Sequence, residues 1–471
     1  MKLKLTIGIL GVFILLLIWQ YSLKDYSEIN ILATSDLNGF MPYQLTSHIK
    51  DEKSKNKNTI LVDAGDFLDF GRPGSDMSRY CFDKFSINKS NRNYIELPIA
   101  KEMKETGYDT VVLGNQEFLY STKDQVDNIV SDLNKQGIDV LSANTHKKNG
   151  DNYVKPYIMK TVPTSKGTVK VGILGLTIKE IDQRYETLSN GEEKIVTDEL
   201  KDLKGINGSL YMNDLVEEAK YWVPVMKKDN PDIIIAVVHS GEKEKNEKET
   251  GNKIQDLAQE VNGIDAIVAG HTHKHFDQHD YTNKAGENVI VTQPGQNGEA
   301  ISKINFKLEQ KDNKWVIADK SSKVTKFEKD DEDINFDILN KKVTDTSLEL
   351  SEKYNGRECK NFSLKDLTPF EWDKLYAFDI NTSPEKIYET IGYKHRDIKK
   401  AKNGDAVQMI FMNDGKVVCH LYGYEKTLFT DFIFDKSEFK DGILTIYPDN
   451  NDKFNVTSNQ STFTLKLNHV K

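Results

Sequence analysis

At 471 residues the chain has room for about three average domains, or for one or two larger ones. Its 38% hydrophobic and 29% charged residues exclude wholesale disorder, collagen-like sequence and a polytopic membrane protein. With 64 Lys+Arg against 73 Asp+Glu, the net charge of −9 excludes a general nucleic-acid coat but leaves room for a local pocket that takes a phosphorylated small molecule.

In chain order, Lys2 and Lys4 precede an apolar run over 5–19, and polar residues resume at Gln20 and Lys24. A basic flank and a run of this length form an export signal. No small-x-small cleavage site and no cysteine for a lipid follow it, so residues 1–24 are expected to be an uncleaved signal-anchor, with a cleaved signal peptide as second choice. The bulk of the protein is then extracytoplasmic. Cys81, Cys359 and Cys419 are too few for a disulfide framework, which in an exported chain points to a bacterial source.

Apolar runs rich in β-branched residues follow at 29–33, 59–62, 110–113, 140–142, 169–175, 233–238, 266–269 and 289–292. They read as strands buried on both faces. Helical patterns lie between several of them, at 95–106, 123–136, 212–228 and 251–261, and the alternation predicts an α/β layered domain. Beyond Leu308, residues 311–329 are charged and weakly patterned, and the acidic run 330–333 reads as solvated linker. A helix is expected over 334–354. Residues 357–471 show short alternating strands, with a hairpin signal at Asn413-Asp414-Gly415 and an aromatic core from Phe362, Phe370, Trp372, Tyr376 and Phe378.

Polar residues stand at the carboxyl ends of the predicted strands: Thr34-Ser35-Asp36-Leu37-Asn38-Gly39, Asp63-Ala64-Gly65-Asp66, Gly114-Asn115-Gln116-Glu117, His239-Ser240-Gly241 and Gly270-His271-Thr272-His273. Ligand sites of open α/β sheets form at that end. Mixed carboxylate and imidazole donors suit divalent cations of the Mn, Fe or Zn type. Two such ions about 3.5–4 Å apart can hold a hydroxide and stabilise in-line displacement at phosphorus.

The order Asp-x-(His), Gly-Asp, Gly-Asn-(His)-Glu, His, Gly-His-x-His resembles that of the calcineurin-like metallophosphoesterases, most of all their 5′-nucleotidase and cyclic-nucleotide phosphodiesterase branch. The strings ending at Asp36, Asn115, Asn144 and Gly298 support it. The resemblance spans roughly 28–310 and implies a four-layer α/β/β/α sandwich with a dinuclear site. By position, Asp36, Asp66 and His273 would hold the first metal. Asp66, Asn115, His239 and His271 would hold the second, with Asp66 bridging and Asn115 also steadying charge on phosphorus.

Three positions depart from the branch. Asn38 replaces a ligand histidine and, as a neutral donor, would weaken the first site. Gln116 replaces the histidine that protonates the leaving group or steadies the transition state, and an amide has no transferable proton near neutral pH. Leu119 stands where an aspartate orients that histidine. His146, His275 and His279 lie near motif ends and read as surface histidines. Residues 357–471 carry none of the strings of the branch's base-stacking domain. The expected activity is metal-dependent hydrolysis of a phosphomonoester or phosphodiester. The alternative is a metal-binding pseudoenzyme that recognises a phosphorylated ligand or envelope component.

Overall fold

The computed structural model describes residues 26–39, 41–68, 97–119, 121–187, 193–245, 250–354, 359–395, 398, 408–421, 430–459 and 464–470. The expected signal-anchor lies outside the described residues. Among the described residues, no helix is long and apolar enough to cross a membrane.

The first half runs β1 (Ser27–Thr34), α1 (Tyr43–Lys55), β2 (Thr59–Asp63), α2 (Pro98–Thr106), β3 (Thr110–Val112), α3 (Asn115–Leu119), α4 (Lys123–Lys135), β4 (Asp139–Leu141), β5 (Thr145–Lys147), β6 (Tyr157–Thr164) and β7 (Gly167–Thr177). A hairpin of β8 (Glu180–Thr187) and β9 (Glu193–Glu199) comes next. It is followed by β10 (Leu210–Met212), α5 (Leu215–Lys227), β11 (Ile233–His239), α6 (Ile254–Glu260), β12 (Ala266–Ala269), β13 (His275–Thr282), β14 (Asn288–Pro294), β15 (Ala300–Lys311) and β16 (Lys314–Lys326). One six-stranded sheet has the order β16-β15-β1-β2-β3-β4 and another the order β13-β14-β12-β11-β7-β6. Strands β1 to β4 pair in parallel in the first sheet, as do β7, β11, β12 and β14 in the second.

Side-chain alternation explains why these strands read as continuous apolar runs. In β11, Ile233, Ile235 and Val237 enter one cluster together with Ile29, Ile31 and Ala33 of β1 and Ile60 and Val62 of β2. The intervening Ile234, Ala236 and Val238 pack with Ala219 and Val223 of α5 and Leu257 of α6. Leu32 and Leu61 turn the other way, toward Ile49 of α1, Met103 of α2 and Ile129 of α4. Each strand therefore serves two cores.

Two element expectations need correction. The helix expected over 212–228 begins only at Leu215, because Met212 pairs with Thr145 in the β10–β5 ladder and Asp214 caps the helix through the main-chain N–H groups of Val216 and Glu217. The charged, weakly patterned stretch over 311–329 instead supplies β16, which pairs along β15 as an edge strand. Its exposed residues largely alternate with partly buried ones, and one solvated side hides the apolar signal.

The C-terminal part contains α7 (Asp331–Tyr354), β17 (Cys359–Ser363), α8 (Leu364–Leu367), β18 (Lys374–Phe378), α9 (Pro384–Ile391), β19 (Gln408–Asn413), β20 (Lys416–Leu421), β21 (Thr430–Ile433), β22 (Ile443–Ile446), β23 (Lys453–Asn459) and β24 (Thr464–His469). Two four-stranded sheets form, β17-β23-β24-β21 and β20-β19-β18-β22. The β19–β20 hairpin turns at Asp414 and Gly415, both at positive φ, as the Asp-Gly signal requires. Trp372 and Phe378 are buried, while Phe362, Phe370 and Tyr376 pack on the same cores. Helix α7 is no solvated connection, since Leu339 and Val343 are buried against these strands. It also starts inside the acidic run, at Asp331.

Replacing Ile235 by Ala, in the cluster shared by both six-stranded sheets, is expected to lower unfolding free energy by about 2–5 kcal/mol in denaturant titration. A loss within the ordinary surface range would contradict the shared core.

Candidate metal centre

Parallel strands from two sheets present their carboxyl ends to one region. Asp36 lies just past β1, Asp66 just past β2, Asn115 opens α3 after β3, His239 ends β11, and His271 follows β12. The chain turns there in the left-handed region. Asp36, Asn38, Asp66, His271 and His273 have φ of 52°, 48°, 56°, 70° and 57°. Such conformations cost about 1–2 kcal/mol each for residues with a Cβ, so the surroundings must enforce them.

Main-chain hydrogen bonds between loops do part of this. Asp36 N–H donates to Gly65 O at 2.8 Å, Asn38 N–H to Asp66 O at 2.9 Å, and Asn297 N–H to Asp36 O at 2.8 Å. Glu117 does the rest. Its buried carboxylate accepts from the main-chain N–H groups of Gly114 (2.7 Å), Asp66 (3.0 Å) and Leu68 (3.1 Å). Burial and the neighbouring Asp66 charge push its pKa up to about 8. Glycine is required at Gly114, where a Cβ would strike Asp66 Oδ1, and at Gly65, where it would come 2.8 Å from Gly114 N and His239 Nδ1.

The donors converge. Asp66 Oδ2 lies 3.3 Å from His239 Nε2, while Asp66 Oδ1 accepts from the Gln116 main-chain N–H at 2.9 Å. His239 Nδ1–H donates to Ala64 O at 2.7 Å, which turns Nε2 toward Asp66 and toward Asn115 Oδ1, 2.9 Å away. The same Asn115 Oδ1 lies 3.1 Å from His271 Nδ1, and Asn115 Nδ2–H donates to Ile181 O. The ligand atoms of Asp66, His239 and His271 all lie within 4.8 Å of one another. Asp36 Oδ2 accepts from Ser35 Oγ–H and from the His271 main-chain N–H. His273 Nε2 stands 3.5 Å from Asp36 Oδ1.

Electrostatics match this geometry. Burial disfavours a charged His239, yet the Asp66 carboxylate against it prevails and holds the ring up at about 10. Burial and the His239 charge keep His271 down at about 4. One proton thus sits among several donors, where a divalent cation would serve the same carboxylates. Asp36 Oδ1 is buried without a hydrogen-bond partner, an orphan that a cation would satisfy. On these observations the residues present fit a divalent metal group.

Not every predicted site residue joins the cluster in the same way. Asn38 points Nδ2–H at Asp36 O (2.9 Å) and at Asn297 Oδ1 (3.1 Å), so its amide is engaged in bracing the loop. Gln116 touches the centre through its main chain. Leu119 packs on the apolar cluster of the first sheet and its helices. His275 and His279 are exposed. His146, expected at the surface, is instead buried, paired with Glu218 at 3.0 Å and stacked on Tyr211. Glu117 and Asn297 carry no predicted role, because their acceptor and bracing functions depend on partners distant in sequence.

Carboxylate, amide and imidazole donors at the ends of parallel strands define a mixed α/β protein with a candidate divalent-metal centre. The family profile described as "Calcineurin-like phosphoesterase" matches residues 29–275, just over half of the chain, and the protein belongs to that family. Family members use divalent metals. Among curated relatives, the chain is 29% identical over 319 residues to the trifunctional nucleotide phosphoesterase protein YfkN of Bacillus subtilis, covering 64% of this chain and 20% of that protein. It is 23% identical over 324 residues to a 2′,3′-cyclic-nucleotide 2′-phosphodiesterase/3′-nucleotidase of Haemophilus influenzae, covering 62% of this chain and 45% of that one. The chain therefore spans less than half the length of either relative. The crystal structure of the calcineurin-like phosphoesterase YfkN from Bacillus subtilis superposes with a TM-score of 0.51 at 27% identity, over 64% of this chain and 91% of that one.

Glu117→Ala leaves three buried main-chain donors without an acceptor, each worth about 1–3 kcal/mol, so a loss of at least about 3 kcal/mol is expected in denaturant unfolding. Glu117→Gln should fall between. Asp63, which accepts from Thr34 Oγ1–H, has its pKa raised by burial to about 7. The folded state therefore holds a proton that the unfolded chain has released, and this contribution to stability is lost as pH rises from about 4 to about 7. Unfolding free energies at both ends of that window should differ less in Asp63→Asn than in the natural protein. An unchanged difference would contradict the buried, protonated Asp63.

Proposed function

We propose that this chain is a metal-dependent hydrolase of phosphomonoesters or phosphodiesters, nucleotides among them, acting outside the cytoplasm with two divalent cations of the Mn, Zn or Fe type. The observation that carries this reading is the convergence of Asp66, Asn115, His239 and His271 beside a buried Asp36 oxygen that accepts no hydrogen bond. Asp36, Asp66 and His273, with Asn38 as a weak fourth, would hold one cation, and Asp66, Asn115, His239 and His271 the other. The metals would supply an activated water and positive charge for the phosphoryl oxygens. The names of the nucleotide phosphoesterase relatives support the substrate class.

The protein's own groups would act around that chemistry. Ala64 O fixes the His239 tautomer, leaving Nε2 free to coordinate. Asn115, held through Ile181 O, would orient its amide oxygen to the second cation. Glu117 keeps the Asp66 and Gly114 loops at the separation the donors need. Gln116 can donate a hydrogen bond to substrate but no proton, so the leaving group must take its proton from solvent. Esters with poor leaving groups should turn over slowly.

The same position supports the second reading, a metal-binding pseudoenzyme that holds a phosphorylated ligand or envelope component. Leu119 packs into an apolar cluster where an orienting carboxylate would be costly, so the machinery for a general acid is missing as a pair.

Around this site we propose helix, sheet, sheet, helix layering, supported by the apolar cluster common to both six-stranded sheets and by the helices on their other faces. The domain division we propose is a signal-anchor or signal peptide over 1–24, the phosphoesterase domain over 28–310, a charged linker and helix over 311–356 and a small α+β domain over 357–471. Strand β16 extends the second of these and α7 packs on the last. The apolar run over 5–19 supports membrane attachment.

The test is hydrolysis of an aryl phosphodiester, whose leaving group needs little protonation, by the full chain with Mn or Zn. Turnover that vanishes on chelation and falls at least about 10²-fold in Asp66→Asn is expected. Two bound metals without turnover would favour the pseudoenzyme. Gln116→His, alone and with Leu119→Asp, should raise kcat on alkyl phosphates by up to about 10²–10⁴-fold and change aryl esters little. No gain on alkyl phosphates would overturn the role given to Gln116.

A further inference from the structure

Far from the strand ends in sequence, the C-terminal part assembles a second donor cluster. Glu332 lies in the first turn of α7, His395 in the segment after α9, and His420 in β20. Their ligand atoms all lie within 4.8 Å of one another. His395 Nε2 is 3.1 Å from Glu332 Oε2, and the two imidazoles meet edge to face with centroids 6.0 Å apart. His395 is 8% exposed and His420 9%.

A histidine beside a glutamate is ordinary in this protein. His146–Glu218, His279–Glu242 and His469–Glu438 are all paired. Among the described residues none of those pairs gains a third donor within the same reach, whereas Glu332 and His395 gain His420. One other cluster meets the same condition, the Asp66, His239 and His271 centre of the phosphoesterase site. The chemistry fits a metal as well. Zinc binds imidazole nitrogen and carboxylate oxygen at about 2.0–2.2 Å, which sets tetrahedral neighbours about 3.3 Å apart, close to the His395–Glu332 separation. Two imidazoles and one carboxylate select a zinc-class ion over calcium or magnesium, which take mostly oxygen.

The location gives the ion a task. Helix α7 follows β16, the last strand of the first six-stranded sheet, and lies against β20, with Asn335 Nδ2–H donating to Val418 O at 2.9 Å. A cation here would join three segments, around residues 332, 395 and 420, that are separate in sequence.

We propose that Glu332, His395 and His420 form a second divalent-cation site of the zinc class, which pins the first turn of α7 to β20 and to the segment after α9 and is independent of the phosphoesterase centre.

The decisive experiment titrates the full chain carrying His239→Ala and His271→Ala with Zn(II), counting bound metal by native mass spectrometry, and with Co(II), following visible absorption. One equivalent of zinc and the intense cobalt bands of a tetrahedral site are expected to remain, and both should disappear on adding His395→Ala, His420→Ala or Glu332→Gln. In the natural background, His395→Gln should release one equivalent of zinc, reduce the zinc-dependent rise in melting temperature, and leave phosphoesterase turnover unchanged. This variant also decides the matter if a multiply substituted chain fails to fold. Zinc content that is unaltered in His395→Gln, or metal that survives all three substitutions in the disabled background, would overturn the proposal.

Discussion

Glu117 sits wholly inside the protein and accepts main-chain hydrogen bonds from Gly114, Asp66 and Leu68, two loops that belong to different strands. A carboxyl group buried this deeply is costly unless its oxygens find hydrogen-bond donors, and here the backbone supplies them. In return, the loop after β2 is drawn against the start of α3, Asp66 is held at φ 56°, and its Oδ1 meets the Gln116 main-chain N–H. The donors of the candidate centre stand where this clasp leaves them. Gly65 and Gly114 are required because no side chain fits between loops held so closely.

The clasp works only on strands that are themselves immovable. Strands β1, β2 and β11 each divide their side chains between a cluster shared by the two sheets and a cluster beneath helices. With both faces apolar, the only places for polar chemistry are the strand ends, and parallel pairing puts those ends side by side. Packing and site geometry are thereby coupled: a shift in strand register would reverse the apolar faces and also move a candidate metal donor. The left-handed turns at Asp36, Asp66, His271 and His273 add strain that this packing bears.

Against that framework, the replaced residues have physical settings of their own. Asn38 is used as a brace between the Asp36 carbonyl and Asn297. Leu119 contributes to an apolar cluster. Gln116 contributes its main-chain N–H to Asp66 whatever its side chain does. The candidate donor cluster and the side chain of Gln116 therefore rest on separate contacts. The C-terminal sheets, with α7 in their core, form a packing unit whose donors Glu332, His395 and His420 belong to no part of the phosphoesterase motif.

From the sequence alone, the strand-end strings were enough to identify the family and to single out Asp36, Asp66, Asn115, His239, His271 and His273 as candidate donors, because glycine-flanked donors after apolar runs are local patterns. The Asp414-Gly415 hairpin was legible for the same reason: one turn needs two residues at positive φ. Strand β16 was not, since an edge strand with a solvated side carries a diluted apolar period, and neither was the true start of α5, where ladder pairing overrode helical pattern. The role of Glu117, the bracing of Asn38 by Asn297, the burial of His146 and the meeting of Glu332 with His395 and His420 were decided only in three dimensions. Each depends on partners tens to hundreds of residues apart, and no local spacing encodes a contact that exists only after the strands have packed.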